Sequence, residues 1–278
     1  MKSISKKRNP SQKKSKGTLI IIGGREDKKG DMPILREIAE QTKDGKMVIV
    51  TVASEVPGLI WTDYKRIFTS LGVKKIIHFS IDHHQEALDI KKLRLFDGVR
   101  TVFFSGGDQV RLTSKIGGTP VFDRIMEIYH KGGLVAGTSA GAAIMGRTML
   151  VGEEGGESHK VGNWMMAPGL GFIEDLIIDQ HFAQRGRIGR LLGAVALNPG
   201  ILGIGIDEDT AIVVKGDHFK VIGANAAYVV DGRYVTTTNM SEAAASETMS
   251  VHDIHLHILA NRESFNLVNR KITDAKKT

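Results

Sequence analysis

Short apolar runs alternate with amphipathic stretches through the first half of the chain. Residues 18–24 (TLIIIGG), 47–53 (MVIVTVA), 75–79 and 101–104 read as buried strands. Between them, residues 32–43 place Ile34, Leu35, Ile38 and Ala39 at helical spacing. Residues 57–71, 84–95 and 122–129 predict further helices. Strands separated by helices of roughly 10–15 residues imply a parallel sheet with helices on both faces. The second half is more mixed. Residues 134–136 form a short strand, and 151–163 read as a polar, glycine-rich loop or lid. A turn at 168–172 precedes a strand at 175–179 (DLIID), a helix at 184–197 and a strand at 201–206. Beyond it, alternation broken by Lys215-Gly216-Asp217 and Asp231-Gly232 predicts antiparallel hairpins. A Ser/Thr/Ala-rich loop covers 236–248, and the last strand is expected at 253–259, ahead of a charged end.

In a sheet of this kind, ligands bind beyond the carboxyl ends of the strands. Gly23-Gly24, the turn Gly106-Gly107 and the corner Gly137-Thr138-Ser139-Ala140-Gly141 therefore fall along one edge. The corner is a G-x-S-x-G pattern between a strand and a helix of small residues, the setting of a nucleophile elbow. Ser139 is the candidate nucleophile. Such a serine needs a base in hydrogen-bond reach and a group that orients the base. His181 ends the DLIIDQH strand and is placed at the same edge. Asp207, Glu208 and Asp209 follow the next strand, and position alone does not separate them. The resulting order, serine then histidine then acid, departs from the order of ordinary α/β-hydrolases. An oxyanion would take the N–H of Ala140 and that of Gly107, with Asp108 placed to cap a following helix. Arg185, Arg187 and Arg190 follow the histidine closely and suit carboxylate recognition, because a guanidinium binds that group as a fork.

Composition narrows the chemistry. The 278 residues can bury a sizeable core, and 41% hydrophobic with 25% charged residues is ordinary for a soluble globular protein. There are no cysteines, which excludes disulfides, thiolate metal sites and a cysteine nucleophile. The net charge of +7 resides in residues 1–16, which hold seven Lys or Arg and no acid. The rest of the chain is balanced, so no specific nucleic-acid partner is expected, and residues 1–16 read as a disordered basic leader. The leader has no apolar run after its charges and is not read as a secretory signal. No stretch reaches the roughly 18 consecutive apolar residues of a membrane span. His83-His84 and the trio His252, His255 and His257 match no zinc signature, and Gly23-Gly24 with Gly30 is not a dinucleotide fingerprint. Neither a metal nor a cofactor is expected.

Six stretches carry a family resemblance: GTLIIIGGREDK, FFSGGDQVRL, LVAGTSAGAAIM, APGLGFIEDLIIDQHFAQRGRIGRL, GIGIDEDTAIVV and VIGANAAYVVDG. In this order, over residues 17–231, the chain resembles the serine peptidase family of the cyanophycinases and of the α-aspartyl dipeptidase peptidase E. The long DQHFAQRGRIGRL block favours the cyanophycinase branch. The resemblance implies an α/β fold of doubly wound, flavodoxin-like or class I glutamine-amidotransferase-like form. It implies one mostly parallel sheet with helices on both faces and C-terminal β-hairpins, all in a single peptidase domain spanning 17–278. It also implies a serine exopeptidase that releases β-Asp-Arg dipeptides from cyanophycin, a poly-aspartate bearing arginine on its β-carboxyls. By position, Ser139 would be the nucleophile, His181 the base and Glu208 the orienting acid. Gln109, Asp179, Gln180, Arg185, Arg187 and Arg190 would line the substrate pocket. A cytoplasmic homodimer is implied as well. Arg25 departs from the family, whose members often carry a small residue in that turn. Two other readings stand beside this one: a related peptidase for other aspartyl or isoaspartyl peptides, and a non-catalytic binding protein of the same fold.

Overall fold

In the computed structural model, which describes residues 17–152, 159–162 and 165–273, the apolar runs fall in the parallel part, on one side, of a nine-stranded mixed sheet. The basic leader lies outside the described residues, as does part of the expected loop at 151–163. Five strands run parallel: β1 (Thr18–Ile22), β2 (Lys46–Val50), β3 (Lys75–Phe79), β4 (Val99–Phe104) and β5 (Leu134–Thr138). They lie in the order β1-β5-β4-β2-β3. Side chains alternate across a strand, so each of these runs feeds two cores. Ile20, Ile22, Met47, Ile49 and Phe103 face helices α1 (Pro33–Thr42) and α2 (Pro57–Ser70). Leu19, Ile21, Val48, Val102 and Phe104 face the opposite layer. At roughly 25 cal/mol per Å² of apolar surface removed from water, this double-sided burial dominates the stability of the sheet.

The stretch at 84–95 is not one helix. Asp89 takes an extended conformation and accepts from Lys91 N at 2.8 Å, starting a separate turn, α3 (Ile90–Leu93), between two 3₁₀ segments. A helix not assigned from the pattern, α4 (Gln109–Ile116), follows Asp108, whose carboxylate accepts from Val110 N and Arg111 N. Only Leu112 and Ile116 of α4 are buried, a stripe too thin to mark a helix. Helix α5 (Pro120–His130) and the short α6 (Ala140–Ala143) flank β5.

A second sheet carries the other half of the site. After the hairpin β6 (Thr148–Val151) and β7 (Met165–Pro168), which occupies both flanks of the expected loop, comes β8 (Leu176–Gln180). It pairs in parallel with β9 (Leu202–Ile206) across helix α7 (Ile188–Leu197). The expected helix at 184–197 is interrupted, because Gly186 takes φ 59° between a 3₁₀ turn and α7. Strands β10 (Thr210–Lys215) and β11 (His218–Gly223) form the expected hairpin on the first sheet. β12 (Ala227–Asp231) does not continue it but pairs antiparallel with β9. A two-residue pair, β13 (Thr237–Thr238) with β14 (Val251–His252), precedes β15 (His255–Leu259) at the edge of the second sheet. The charged end also holds β16 (Ser264–Asn266) and β17 (Lys271–Thr273), which extend the first sheet. One face of the second sheet, with Ile178 and Ile204, joins the large core of the first. The other, with Ile177 and Val230, packs on α7.

Candidate active site

The two sheets meet at Gly23-Gly24, directly after β1. Gly23 N donates to Thr210 O at 2.9 Å, and Gly23 O accepts from His181 N at 2.8 Å. Gly24 O accepts from Asp209 N at 2.8 Å, while Ile22 O accepts from Ser139 N at 3.1 Å. The carboxyl end of β1 is thus bonded to the residues that follow β5, β8 and β9. His181 therefore does not share a sheet with Ser139, as its strand-end position suggested; it arrives from the second sheet across this seam. A side chain at Gly23 would meet Asp207 O at 2.0 Å, and one at Gly24 would meet His181 Cε1 at 2.3 Å. Only hydrogen fits in either place.

Ser139 turns the corner with φ 54° and ψ −110°, a strained backbone that lifts its side chain clear of strand and helix. Its Oγ lies 2.9 Å from His181 Nε2, and His181 Nδ1 lies 2.7 Å from Glu208 Oε1. An ionised carboxylate only accepts, so Nδ1 carries the proton and Nε2 presents its lone pair to the serine hydroxyl. Burial pulls the His181 imidazole below its ordinary value of 6.5, outweighing the opposing pull of Glu208; Arg187 and Arg25 add to the lowering. The histidine is thereby held neutral, ready to take a proton. Gln184 Oε1 accepts from Glu208 N at 3.1 Å and braces the acid's backbone.

The three competing acids separate by their partners. Asp207 is buried and accepts from Ala183 N at 2.9 Å, so it ties the loop after β8 to β9. Asp209, at φ 49°, accepts from Asp27 N at 2.7 Å, and burial raises its carboxyl above the ordinary range. Glu208 alone of the three meets His181. A further buried acid escaped the sequence reading. Glu26 accepts from Thr138 Oγ1 at 2.6 Å and from Tyr64 Oη, clamping the residue before Ser139. Nothing in its local pattern signals this contact across 112 residues.

Beside Ser139 opens a pocket of about 280 Å³. Gly107, Gln109, Gln180, Arg185, Arg187 and Arg190 all line it, together with Leu150 to Gly152 from the β6 hairpin. Gly107 has φ +138°, and a Cβ there would meet Ala53 O at 2.2 Å, so glycine is required on this rim. Ala140, as the first residue of α6, has no acceptor for its N–H within the helix. Gln109 donates its side-chain amide to Leu150 O, joining the start of α4 to the hairpin. Asp179 requires a correction: it does not line the pocket. Alternation along β8 puts it on the same side as Ile177, beneath α7, at 1% exposure. There it accepts from Arg190 Nε at 2.7 Å and from Arg190 Nη2, with Arg187 Nη1 at 3.5 Å. It thus pairs with Arg187 and Arg190 from beneath the pocket. Gln180, on the opposite face, keeps a buried side-chain oxygen without a partner among the described residues. Burial lowers Arg187 to about 10 and also lowers Arg185.

Several of the remaining histidines have local partners. His84 Nδ1 contacts Ser114 O at 3.1 Å, and His255 stacks on Tyr234. Among the described residues, no group of three or more His, Asp or Glu is arranged around a common metal position, and no helix is long and apolar enough to cross a membrane.

Residues 19–222 match the family described as Peptidase family S51. The chain is 38% identical over 265 residues to the cyanophycinase of Trichormus variabilis, covering 94% of this chain and 89% of that protein. It is 36% identical over 255 residues to the cyanophycinase of Geminocystis herdmanii, covering 90% and 94%. Among solved structures, a peptidase from an acI-B1 actinobacterium superimposes with a TM-score of 0.65 at 20% identity. That match covers 88% of this chain and 98% of the other, and it bears on the fold alone. A serine, a neutral histidine and a carboxylate in hydrogen-bonded series are what acyl transfer by a serine requires, and with residues 19–222 matched, the chain belongs to peptidase family S51, a family of serine-type peptidases.

Proposed function

We propose that this protein is a cyanophycinase: a serine exopeptidase that hydrolyses cyanophycin to β-Asp-Arg dipeptides through an acyl-enzyme. The observation that carries the proposal is the hydrogen-bonded series Ser139, His181 and Glu208 opening onto a pocket lined by Arg185, Arg187 and Arg190. Relatives named cyanophycinase, matched over 94% and 90% of the chain, support the choice of substrate. Ser139 Oγ attacks the scissile backbone carbonyl while His181 Nε2 takes its proton. The Ala140 and Gly107 N–H groups receive the developing oxyanion. His181 then returns the proton to the leaving amine, and water, activated by the same imidazole, frees the acyl group. A substrate unit bearing a branch carboxylate suits a pocket in which Asp179 holds Arg187 and Arg190 from below; Gln109 and Gln180 supply neutral polar contacts.

The test is direct. Purified protein incubated with insoluble cyanophycin should release soluble β-Asp-Arg, and Ser139→Ala should abolish release while unfolding at the same temperature. Turnover by that variant would overturn the assignment of Ser139. Turnover of other aspartyl peptides in preference to cyanophycin would favour the related-peptidase reading. The proposal extends to a single domain over 17–278 and a cytoplasmic homodimer. The family resemblance supports both, and light scattering and cell fractionation test them.

A further inference from the structure

Arg25 stands at the hydrolytic series yet lines no part of the arginine pocket. It follows Gly24, on which the His181 ring lies, and its guanidinium reaches the orienting acid. Nη1 donates to Glu208 Oε2 at 3.5 Å, and Nε lies 3.4 Å from Oε1. Both contacts are long. The Arg25 side chain remains 76% exposed against 17% for Glu208. A guanidinium has five N–H donors, and a single hydrogen bond to Glu208 leaves the outer edge of this one facing solvent.

The backbone that carries it is anchored on both sides. Gly23 O and Gly24 O hold His181 N and Asp209 N; Glu26 is fixed by Thr138, and Asp27 N donates to Asp209. Arg25 itself sits at φ 45°, in the left-handed region that favours glycine. A long, charged, exposed side chain is thus presented from a rigid, strained corner, beside the reacting groups and outside the pocket. A polymer whose terminal unit fills the pocket, with its scissile carbonyl at Ser139, continues away from the pocket. In the proposed substrate every unit carries arginine through its α-amino group, which leaves one free α-carboxylate per branch.

We propose that Arg25 binds the branch carboxylate of the unit adjoining the one held in the pocket, across the scissile bond. This rests on the cyanophycin reading of the site. It makes Arg25 a substrate-binding residue that favours chains over single dipeptide units.

Two-unit oligomers test it: one with the adjoining branch carboxylate free, the other with that carboxylate amidated, the pocket unit being identical. Wild type should prefer the free form by about fivefold in kcat/KM, the upper end for an exposed ion pair. The preference should reside in KM and shrink at high salt. Arg25→Gln, which removes the charge but keeps a polar side chain and the backbone strain, should bring the ratio to about one, and Arg25→Lys should keep part of it. Comparing two substrates within each variant cancels any general loss from disturbing Glu208. An unchanged ratio in Arg25→Gln, or no preference in wild type, overturns the assignment. If wild type cleaves neither oligomer and releases nothing from the polymer, the substrate reading itself falls and takes this one with it.

Discussion

Replacing Gly24 with alanine tests whether the backbone beneath His181 sets the position of its ring. The new methyl carbon would stand 2.3 Å from His181 Cε1 and 2.6 Å from Nε2, where ordinary contact begins at 3.4 Å. The ring must retreat by roughly 1 Å, which lengthens its bonds to Ser139 and Glu208 together; a misplacement of that size costs about 10²-fold in rate. Gly24 also has φ +104°, so a side chain there strains the backbone by about 1 kcal/mol. Gly72 separates the two effects, because its φ is +91° but a methyl group added there would meet nothing within 4 Å. In urea unfolding, Gly72→Ala should show the backbone strain alone, and Gly24→Ala should lose at least as much, since the buried ring must also move. Only Gly24→Ala should lose about 100-fold in kcat for dipeptide release. A kcat for Gly24→Ala within about twofold of that for Gly72→Ala would refute the idea that backbone contact positions the base.

Two further outcomes follow from the electrostatics. Asp179→Asn leaves the buried charge of Arg190 without its carboxylate; breaking a buried pair costs about 3 kcal/mol, measurable as a fall of roughly 6–12 °C in Tm. A variant as stable as wild type would show that the pair is replaceable. The pH profile carries a sign: His181 is held below 6.5, so the acidic limb of kcat/KM should lie below that pH, and stability should decline as pH falls through 6.5, because the unfolded chain then binds a proton the native site refuses. Glu208 raises His181, so Glu208→Gln should move the limb further to acid while lowering kcat by about 10³–10⁴-fold. A shift to alkaline pH would contradict the assigned contact.

The elbow was legible in the sequence because its cause is local: strand, glycine corner and small helical residues are contiguous, and Ser139 stands where they place it. The arginine series was legible for the same reason, since one turn and one helix deliver all three to one pocket. The division into two sheets was not, because a parallel strand's partner is chosen by long-range packing, and β8 and β9 have the same apolar character as strands of the first sheet. The choice among Asp207, Glu208 and Asp209 depended on backbone turns, φ 49° at Asp209 among them, which three adjacent acids do not reveal. Asp179 was misplaced although a signal was present: it shares β8 with Ile177 and Ile178, and period-two alternation puts it on the side away from Gln180.

The glycine seam also sets when the hydrolytic groups come into being along the chain. Ser139 and His181 are 42 residues apart, His181 and Glu208 a further 27, and Glu26 holds Thr138 from 112 residues away. Long-range pairings of this kind form late, after the loops between them have closed. A polypeptide growing from its amino end has Ser139 long before it has Glu208, the acid proposed to orient His181, and Glu208 has no fixed place until Asp209 reaches Gly24. On the proposed mechanism, hydrolytic competence therefore waits for the second half of the site to dock: a chain ending before residue 181 holds a serine on a corner with no imidazole beside it.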